Sequence, residues 1–559
     1  MKSWRSFLNS QPIDRANLNL PPMSLMWPGA KPLLNPPTMP WQADLGVREV
    51  IHRLPVDRRY ADFLYETLVE LNTNLEVIQG RQSVLADFVR NPEMVNALEA
   101  LLPRLAGLRM GTNLLGNRKR NLLLETSDRL SELENYTTIM VDLHTILSAA
   151  SLESEAMQVF REQVMALVSD VQFQQLRTEL PEMRAPLQNV HSLTIGINLD
   201  SEMRPLSAVL LDVNDFTLDE RVSWLERLIG LRHERSQESG IASLHHLPKD
   251  PDLRMFSEFF QDLDRLMVQV AQPISRELNR YTRTSSSTLM SLEFELGFFI
   301  AGCRLVQAYQ QAGVEYCQPE SAALEARLTE LDDLVNVALL LRKPEPGVPE
   351  AVPSDVRFDA DGRIAILTGP NSGGKTTYIQ GVGLAQMLFQ AGWYIPAKRA
   401  VMSPVDAILT HYPQLETRQQ GRLAEESERL RVIFQKATAY SLVLLNETFS
   451  STASGEAVYL AQDILCALRA IGVRAVYATH FIELVDLIEE IEQSIEGDSR
   501  LCSLVAGVRL LDDAQAVPTY KVTRGLPLGR SYAQEIARRH GISLAQILAA
   551  RQDGNGAAD

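Results

Sequence analysis

A glycine-rich run between a short apolar segment and an amphipathic one constrains this chain more than any other feature. The run is Gly369-Pro370-Asn371-Ser372-Gly373-Gly374-Lys375-Thr376-Thr377. Residues 363–368 before it are mostly apolar and β-branched, which predicts a buried strand. Residues 378–390 after it have apolar side chains at helical spacing. A strand, a loop with the spacing G-x-x-x-x-G-K-T and a helix together predict a phosphate-binding loop rather than a chance run of glycines.

The residue types in this run suit a bound triphosphate. Glycines let backbone N–H groups surround a polyphosphate, and the start of the following helix adds partial positive charge. We therefore expect all nine residues, 369–377, to bind the nucleotide. Lys375 would reach the β- and γ-phosphates, and the Thr376 hydroxyl would be a ligand of Mg²⁺.

Two further predicted strands end in polar side chains. The strand at residues 441–445 is followed by Asn446 and Glu447. Most such sites have Asp-Glu there, the Asp orienting Mg²⁺ and the Glu polarising the attacking water. We predict Asn446 as a neutral metal ligand, which would slow hydrolysis, and Glu447 as the general base; the alternative for Glu447 is an ordinary exposed acid.

The third strand, at residues 473–478, is followed by Thr479 and His480. A histidine at the end of a strand in the same sheet can sense the γ-phosphate through its ring N–H. We predict this role for His480, with a purely structural histidine as the alternative.

Length and composition limit the class of protein. A chain of 559 residues is too long for one core and predicts three or four domains. No apolar run has transmembrane length, the start lacks a signal peptide's apolar core, and four scattered cysteines predict reduced packing residues. These features predict a cytoplasmic protein without a membrane partner. The net charge of −16 does not indicate a nucleic-acid binder, but it excludes none, since only one surface need be basic.

The chain is organised into five predicted segments. Residues 1–45 are rich in Pro and Asn, which predicts an irregular extension. Residues 46–190 and 251–342 are patterned as helices, whereas residues 191–250 contain two alternating segments, 191–200 and 208–213, that predict a strand pair. The fifth segment, residues 343–559, begins with a proline-rich linker whose prolines lie between 344 and 353. After this linker the segment alternates strand and helix. This alternation predicts a mostly parallel sheet with helices on both faces.

Several of these motifs resemble the ATPase domain of the MutS family of DNA mismatch-repair proteins. The similar segments are residues 369–380, 392–397, 441–447, 478–484 and 520–533. The resemblance implies an ABC-type P-loop ATPase domain at 343–559 that binds ATP and Mg²⁺ and has a C-terminal helical dimerisation segment. It also implies a homodimer with ATP held between two such domains, and it places residues 352–356 near the adenine pocket.

The resemblance extends upstream more weakly. Residues 75–82 are similar to the start of the family's helical core, which implies core and lever helices at 46–190 and 251–342. The insertion at 191–250 occupies the place of the family's DNA clamp. The loop 449–455 would reach the partner's nucleotide, with Ser451, Thr452 and Ser454 against the opposite γ-phosphate.

The chain departs from the family pattern in four places. There is no room before residue 45 for the mismatch-recognition domain, so we expect a shortened member. Asn446 replaces the usual Asp, and Ser-Ser-Thr replaces Arg-Gly-Thr in the loop after Glu447. No nuclease-like tail follows residue 550.

These observations lead to one main hypothesis and two rivals. The main hypothesis is a MutS-like ATP-dependent DNA-binding homodimer in mismatch repair or related DNA-structure processing, with repair proteins as further partners. ATP hydrolysis would gate clamp closure on mismatched or branched DNA, recognised by backbone and shape. The first rival, favoured by the acidic net charge, is a nucleotide-gated protein-interaction switch that does not bind DNA. A transporter-type ATPase subunit is weaker, because its glycine-rich signature is missing between residues 380 and 445.

Overall fold

The computed structural model describes most of the chain. The described residues are 18, 23–27, 38–113, 122–188, 192–203, 205–214, 271–281, 284, 287–342, 351–370, 373–413, 422–450, 454–510, 516–527, 541–544 and 546–547. The chain divides into two compact units. The first comprises Met1–Met23, Ala100–Ala150 and Val159–Glu293, and the second comprises Ser24–Glu99, Ser151–Gln158 and Phe294–Asp559.

Helices dominate the described residues before residue 312, in agreement with the helical patterning of residues 46–190. The segment 251–342, which was also patterned as helices, contains strands at Glu320–Ser321 and Thr329–Leu334. The helices are α1 Pro40–Asp44, α2 Val47–Arg53, α3 Ala61–Leu68, α4 Leu75–Arg90, α5 Pro92–Asn113, α6 Leu122–Ala149, α7 Glu155–Ser169, α8 Val171–Gln188 and α9 Ser287–Gln311. The residues at which α4 and α5 begin follow from local chemistry. Asn74 caps α4 by accepting a hydrogen bond from Glu76 N, and Pro92 opens α5, where its missing N–H costs nothing.

The first unit contains the predicted strand pair. Strands β1, Ser192–Leu199, and β2, Pro205–Asn214, form an antiparallel hairpin whose register pairs Ser192 with Asn214. The alternating pattern at 191–200 and 208–213 therefore identified both strands. The rest of the predicted clamp-like insertion, residues 215–250, lies outside the described residues.

The second unit contains two sheets. Its strands are β3 Glu320–Ser321, β4 Thr329–Leu334, β5 Ser354–Phe358, β6 Ile364–Thr368, β7 Arg399–Met402, β8 Ile408–His411, β9 Leu442–Asn446, β10 Arg474–Ala478, β11 Leu501–Leu510 and β12 Ala516–Arg524. Its further helices are α10 Val337–Leu340, α11 Lys375–Gln390, α12 Arg422–Lys436, α13 Ser454–Ile471, α14 Glu483–Asp486 and α15 Ile488–Ser494.

The larger sheet confirms the predicted alternation of strand and helix. Its order is β12-β11-β6-β10-β9-β8, and its strands are parallel apart from β12, which pairs antiparallel to β11. Alternate strand residues, such as Ile364 and Ile366, pack into a core lined by α12 and α13. Helix α11 lies on the other face, where Gly383 approaches Leu444. Helices thus cover both faces, as expected for buried parallel strands.

The smaller sheet was not predicted. Its order is β3-β7-β4-β5, and β4 pairs antiparallel to both of its neighbours. Two of its strands, β3 and β4, precede the proline-rich linker, so strand pairing joins residues 320–334 to the segments beyond residue 350. The predicted segment boundaries otherwise stay predictions.

One part of the predicted N-terminal extension is helical. Residues 40–44 form α1 because Pro40 suits the first helical turn and Trp41 is buried. Asp44 accepts a hydrogen bond from the Thr410 hydroxyl at 2.5 Å, and the carbonyl of Leu45 accepts one from Gln380 Nε2 at 3.0 Å. The segment therefore belongs to the core around β8 and α11.

Two simpler findings complete the description. All four cysteines are free thiols, with Cys303 buried. Among the helices described above, none combines the length and the apolar composition that crossing a membrane requires.

A buried arginine joins the two sheets. Arg474, at the start of β10, is fully buried. Its guanidinium donates to four backbone carbonyls, those of Leu328, Ser403, Pro404 and Tyr440. These carbonyls lie beside β4, β7 and β9. The guanidinium therefore satisfies backbone carbonyls next to strand ends of both sheets at one point.

Replacing this arginine should destabilise the second unit. Arg474→Met should lower the free energy of unfolding by about 3 kcal/mol or more, because several buried carbonyls lose their donor. Arg474→Lys should restore little, since one ammonium cannot span the same acceptors. Urea unfolding measures both variants. The exposed Arg431→Met is the matched control, and an Arg474→Met midpoint equal to that of the control would contradict the prediction.

Candidate nucleotide site

The glycine-rich loop leaves β6 at Thr368 and ends where α11 begins. Gly369 has φ of 139° and Gly374 has φ of 94°, a conformation that favours glycine. A Cβ on Gly369 would lie 2.8 Å from the Cβ of Ala506, on the neighbouring strand β11. The loop can therefore take this course only with glycine at residue 369. Asn371 and Ser372, two of the predicted ligands, lie outside the described residues.

Lys375 folds back into the loop. Its ammonium donates to the carbonyls of Gly369 at 2.9 Å and Pro370 at 3.2 Å, and it lies 3.6 Å from Glu447 Oε1. Only 3% of the lysine side chain is exposed, and burial lowers the pKa of Lys375, an effect that the carboxylate of Glu447 opposes. The two charges that the sequence predicted for nucleotide chemistry thus form a pair at the mouth of the loop.

The predicted metal ligands also lie together. Thr376 Oγ1 donates to Asn446 Oδ1 at 3.4 Å, and Asn446 is buried at the end of β9. A hydroxyl and an amide oxygen are ligands of the kind that Mg²⁺ accepts, and the two oxygens are close enough to share one ion. The donor set therefore fits Mg²⁺, although Asn446 contributes no negative charge.

Glu447 follows Asn446 in an unusual backbone conformation. Its φ is 49°, and its N–H donates to the carbonyl of Ala478 at the end of β10. Phe449, two residues later, has φ of 63°. Left-handed backbone at non-glycine residues is uncommon and clusters at functional sites. The turn directs the Glu447 carboxylate towards Lys375.

The loop, Lys375 and Glu447 line a cavity of about 350 Å³. The same cavity is also lined by Leu334, Asn336, Leu339, Val352, Ser354, Tyr378 and Tyr520. Val352 and Ser354 belong to the segment that the family resemblance placed near an adenine pocket. The cavity has room for a nucleoside beside the phosphate loop, since ligand pockets of this kind begin at about 300 Å³.

Two cavity residues were not identified from the sequence. The Asn336 amide donates to the carbonyl of Thr377 at 2.8 Å and so holds the first turn of α11. Tyr520 has φ of 58° and lies beside Gly374. Asn336 lies ahead of the proline-rich linker, and no motif indicated it. Tyr520 stood in a segment that resembles the family, but nothing in that segment indicated a role.

Some predicted residues lie elsewhere or outside the described part. His480 lies two residues after the end of β10, and its side chain is exposed. Its ring centroid is 4.1 Å from that of Phe481, and it is not among the described cavity residues. Ser451 and Thr452 lie outside the described residues. Ser454 begins α13, although its side chain is not described. The roles of these four residues stay predictions.

Two family models match the chain. The model of MutS domain V matches residues 365–555, which contain the whole phosphate loop and the Asn446–Glu447 turn. The model of the MutS2 N-terminal domain matches residues 73–312, which contain α4 to α8 and the β1–β2 hairpin. The two matches lie on either side of β3, β4 and the proline-rich linker.

Curated relatives show the same similarity. Endonuclease MutS2 of Thermus thermophilus is 34% identical over 203 residues, 36% of this chain and 26% of that protein. DNA mismatch repair protein MutS of Thermotoga neapolitana is 34% identical over 198 residues, 35% of this chain and 23% of that protein. Endonuclease MutS2 of Thermomicrobium roseum is 29% identical over 449 residues, 73% of this chain and 54% of that protein. The chain thus matches about half or less of each relative's length.

The loop geometry generates a test. Gly369→Ala should weaken ATP binding roughly 10-fold or more, because its Cβ would collide with Ala506 and distort the amides that face the phosphates. Gly525→Ala is the control, since a Cβ there meets no atom within 4 Å. Titration with a fluorescent ATP analogue measures both variants. Equal affinity of Gly369→Ala and wild type would show that the loop does not bind the nucleotide.

Proposed function

Because the chain belongs to the MutS family, we propose that it is an ATP-dependent DNA-binding protein that hydrolyses ATP, acting in mismatch repair or related DNA-structure processing. One observation supports the ATPase part most strongly. The phosphate loop, the Thr376–Asn446 oxygen pair and the Glu447 carboxylate converge at one end of a cavity large enough for a nucleoside.

Nucleotide binding would use groups already directed at the cavity. The ammonium of Lys375 has two carbonyl partners, and the Glu447 carboxylate lies 3.6 Å away. Phosphate oxygens would replace some of these partners and form charge-assisted hydrogen bonds with the ammonium. Tyr520 and Tyr378 would border the base, and Asn336 would keep the start of α11 in place. Thr376 and Asn446 would hold Mg²⁺, which neutralises charge on the β- and γ-phosphates when bound.

Hydrolysis would depend on Glu447. Its carboxylate would orient a water molecule and accept a proton from it while the water oxygen attacks the γ-phosphorus. The bond from that phosphorus to the β–γ bridging oxygen breaks, and ADP and inorganic phosphate leave. Positioning and proton transfer of this kind are worth about 10²- to 10⁴-fold in rate. We propose a slow ATPase, because Asn446 adds no charge beside the metal.

The DNA-binding part rests on the family and on the first unit. We propose that the β1–β2 hairpin belongs to a clamp that contacts DNA backbone and shape, and that two copies hold ATP between their ATPase domains. The relatives named above support mismatch repair or a related process. Ser451, Thr452 and Ser454 would contact the partner's nucleotide, and His480 would sense the γ-phosphate.

The acidic net charge of −16 favours a second candidate, a nucleotide-gated protein-interaction switch that does not bind DNA. Such a protein would keep the ATP site. It would differ in having no salt-dependent DNA affinity. A binding measurement therefore separates the two candidates.

Two substitutions should separate ATP binding from hydrolysis. Lys375→Ala should weaken ATP binding roughly 10- to 100-fold, because it removes the charged donor. Glu447→Gln should keep ATP affinity and lower kcat by about 10²-fold or more, because an amide cannot accept the proton. Equilibrium ATP binding and steady-state phosphate release measure these effects. Ordinary turnover in purified Glu447→Gln would refute the assigned role.

A salt titration tests the DNA proposal. Affinities for homoduplex, mismatched and branched DNA, each with and without ATP, should fall linearly on a log–log plot against salt concentration, because phosphate contacts release counterions. Branched or mismatched DNA should bind more tightly than homoduplex DNA. Absent or salt-independent binding would favour the protein-interaction switch.

A further inference from the structure

The turn after β9 holds its conformation against a local backbone preference. Glu447 and Phe449 both have positive φ, a backbone conformation that non-glycine residues adopt rarely. Such a conformation persists only where surrounding groups determine it. Since the carboxylate of Glu447 leaves from this turn, the groups that hold the turn also decide where the carboxylate lies.

The first of these groups acts through Thr448, between the two strained residues. Its hydroxyl and His411 Nδ1 are hydrogen-bonded at 3.1 Å, and both side chains are buried. His411 ends β8, and burial lowers its pKa to about 4, so the imidazole is neutral at physiological pH. The Tyr477 hydroxyl donates to the carbonyl of Thr448 at 3.4 Å. Thr448 is thus fixed by the two strands that flank β9.

The second group lies on α12. Glu426 accepts a hydrogen bond from the N–H of Phe449 at 3.1 Å. The Phe449 ring is buried in the core that contains Leu430 and Ile433 of the same helix. Helix α12 therefore fixes the end of the turn through a backbone hydrogen bond and through packing.

We propose that Thr448, His411 and Glu426 are positioning residues for ATP hydrolysis. They hold the turn after β9, and the turn holds the Glu447 carboxylate beside the γ-phosphate. The inference rests on the proposed ATPase function. None of these three residues is among the described residues that line the cavity. Their loss should therefore change kcat rather than ATP affinity. A purely structural role would instead lower stability and leave the rate of the folded protein unchanged.

The main test uses Thr448→Val, which keeps the shape of the side chain and removes its hydroxyl. It should lower kcat for ATP hydrolysis about 10- to 100-fold, because a shift of the base by a fraction of an ångström misaligns the attacking water. The dissociation constant for ATP, measured with a non-hydrolysable analogue, should stay within about twofold of wild type. Thr448→Ser, which restores a hydroxyl, should recover most of the rate.

The matched control is Thr67→Val. Thr67 is a buried threonine of α3 in the same unit, and its hydroxyl donates to the carbonyl of Phe63 at 2.8 Å. It should show a loss of thermal stability similar to that of Thr448→Val without a change in kcat. The comparison separates hydrolysis from the general cost of removing a buried hydroxyl.

Two further pairs of variants test the partners. His411→Asn, whose amide can replace Nδ1, should retain more activity than His411→Phe. The double variant His411→Phe/Thr448→Val should be no slower than the slower of the two single variants, because both substitutions remove the same hydrogen bond. Glu426→Gln keeps an acceptor for the Phe449 N–H and should be faster than Glu426→Leu.

The outcomes are distinguishable. Loss of kcat with unchanged affinity and recovery by serine supports the proposal. A wild-type rate in Thr448→Val, failure of serine to recover it, or parallel losses of affinity and rate would overturn it while the ATPase function stands. If wild-type protein releases no phosphate from ATP, the proposed function fails, and this inference fails with it.

Discussion

The register of three parallel strands is the constraint on which the site depends. Ala478 of β10 lies opposite Leu367 of β6 on one side and Asn446 of β9 on the other. Neighbouring strands lie about 4.8 Å apart, so the loop after β6 and the turn after β9 leave the sheet within about 10 Å of each other. Parallel strands also end at the same edge. The register thereby places Lys375 and Glu447 3.6 Å apart although 71 residues, from 376 to 446, lie between them in the sequence.

Charge balance at this edge follows from that placement. One ammonium and one carboxylate are paired, and the third polar group, Asn446, is neutral. An aspartate at residue 446 would add a second negative charge at this edge of the sheet. The neutral amide keeps an oxygen towards Thr376 and leaves Lys375 with a single carboxylate partner. The arrangement suits binding of an anionic ligand more than strong attraction of a cation.

The surroundings of the site are assembled from distant sequence. Helix α1 contacts β8 through Asp44 and Thr410, 366 residues apart, and Arg474 satisfies carbonyls that precede it by up to 146 residues. The small sheet recruits β3 and β4 from before the linker. Asn336, two residues after the end of β4, lines the cavity and supports the first turn of α11. The candidate nucleotide site is therefore completed by segments that lie outside its contiguous motifs.

The sequence by itself determined the parallel strands, the phosphate loop and the chemical types at the strand ends, because buried strands, glycine turns and helix starts depend on residues that are neighbours in the chain. Gly369, Lys375, Thr376, Asn446 and Glu447 were all predicted as site residues in this way. Only the tertiary structure decided that Asn336 and Tyr520 line the cavity, that residues 40–44 are a helix packed on β8, and that His411 and Glu426 hold the turn of Glu447. Those roles depend on which distant segments meet in the fold. Local propensity and spacing cannot predict a hydrogen bond between two strands or between a helix and a turn, because the residues that form it are far apart in the sequence.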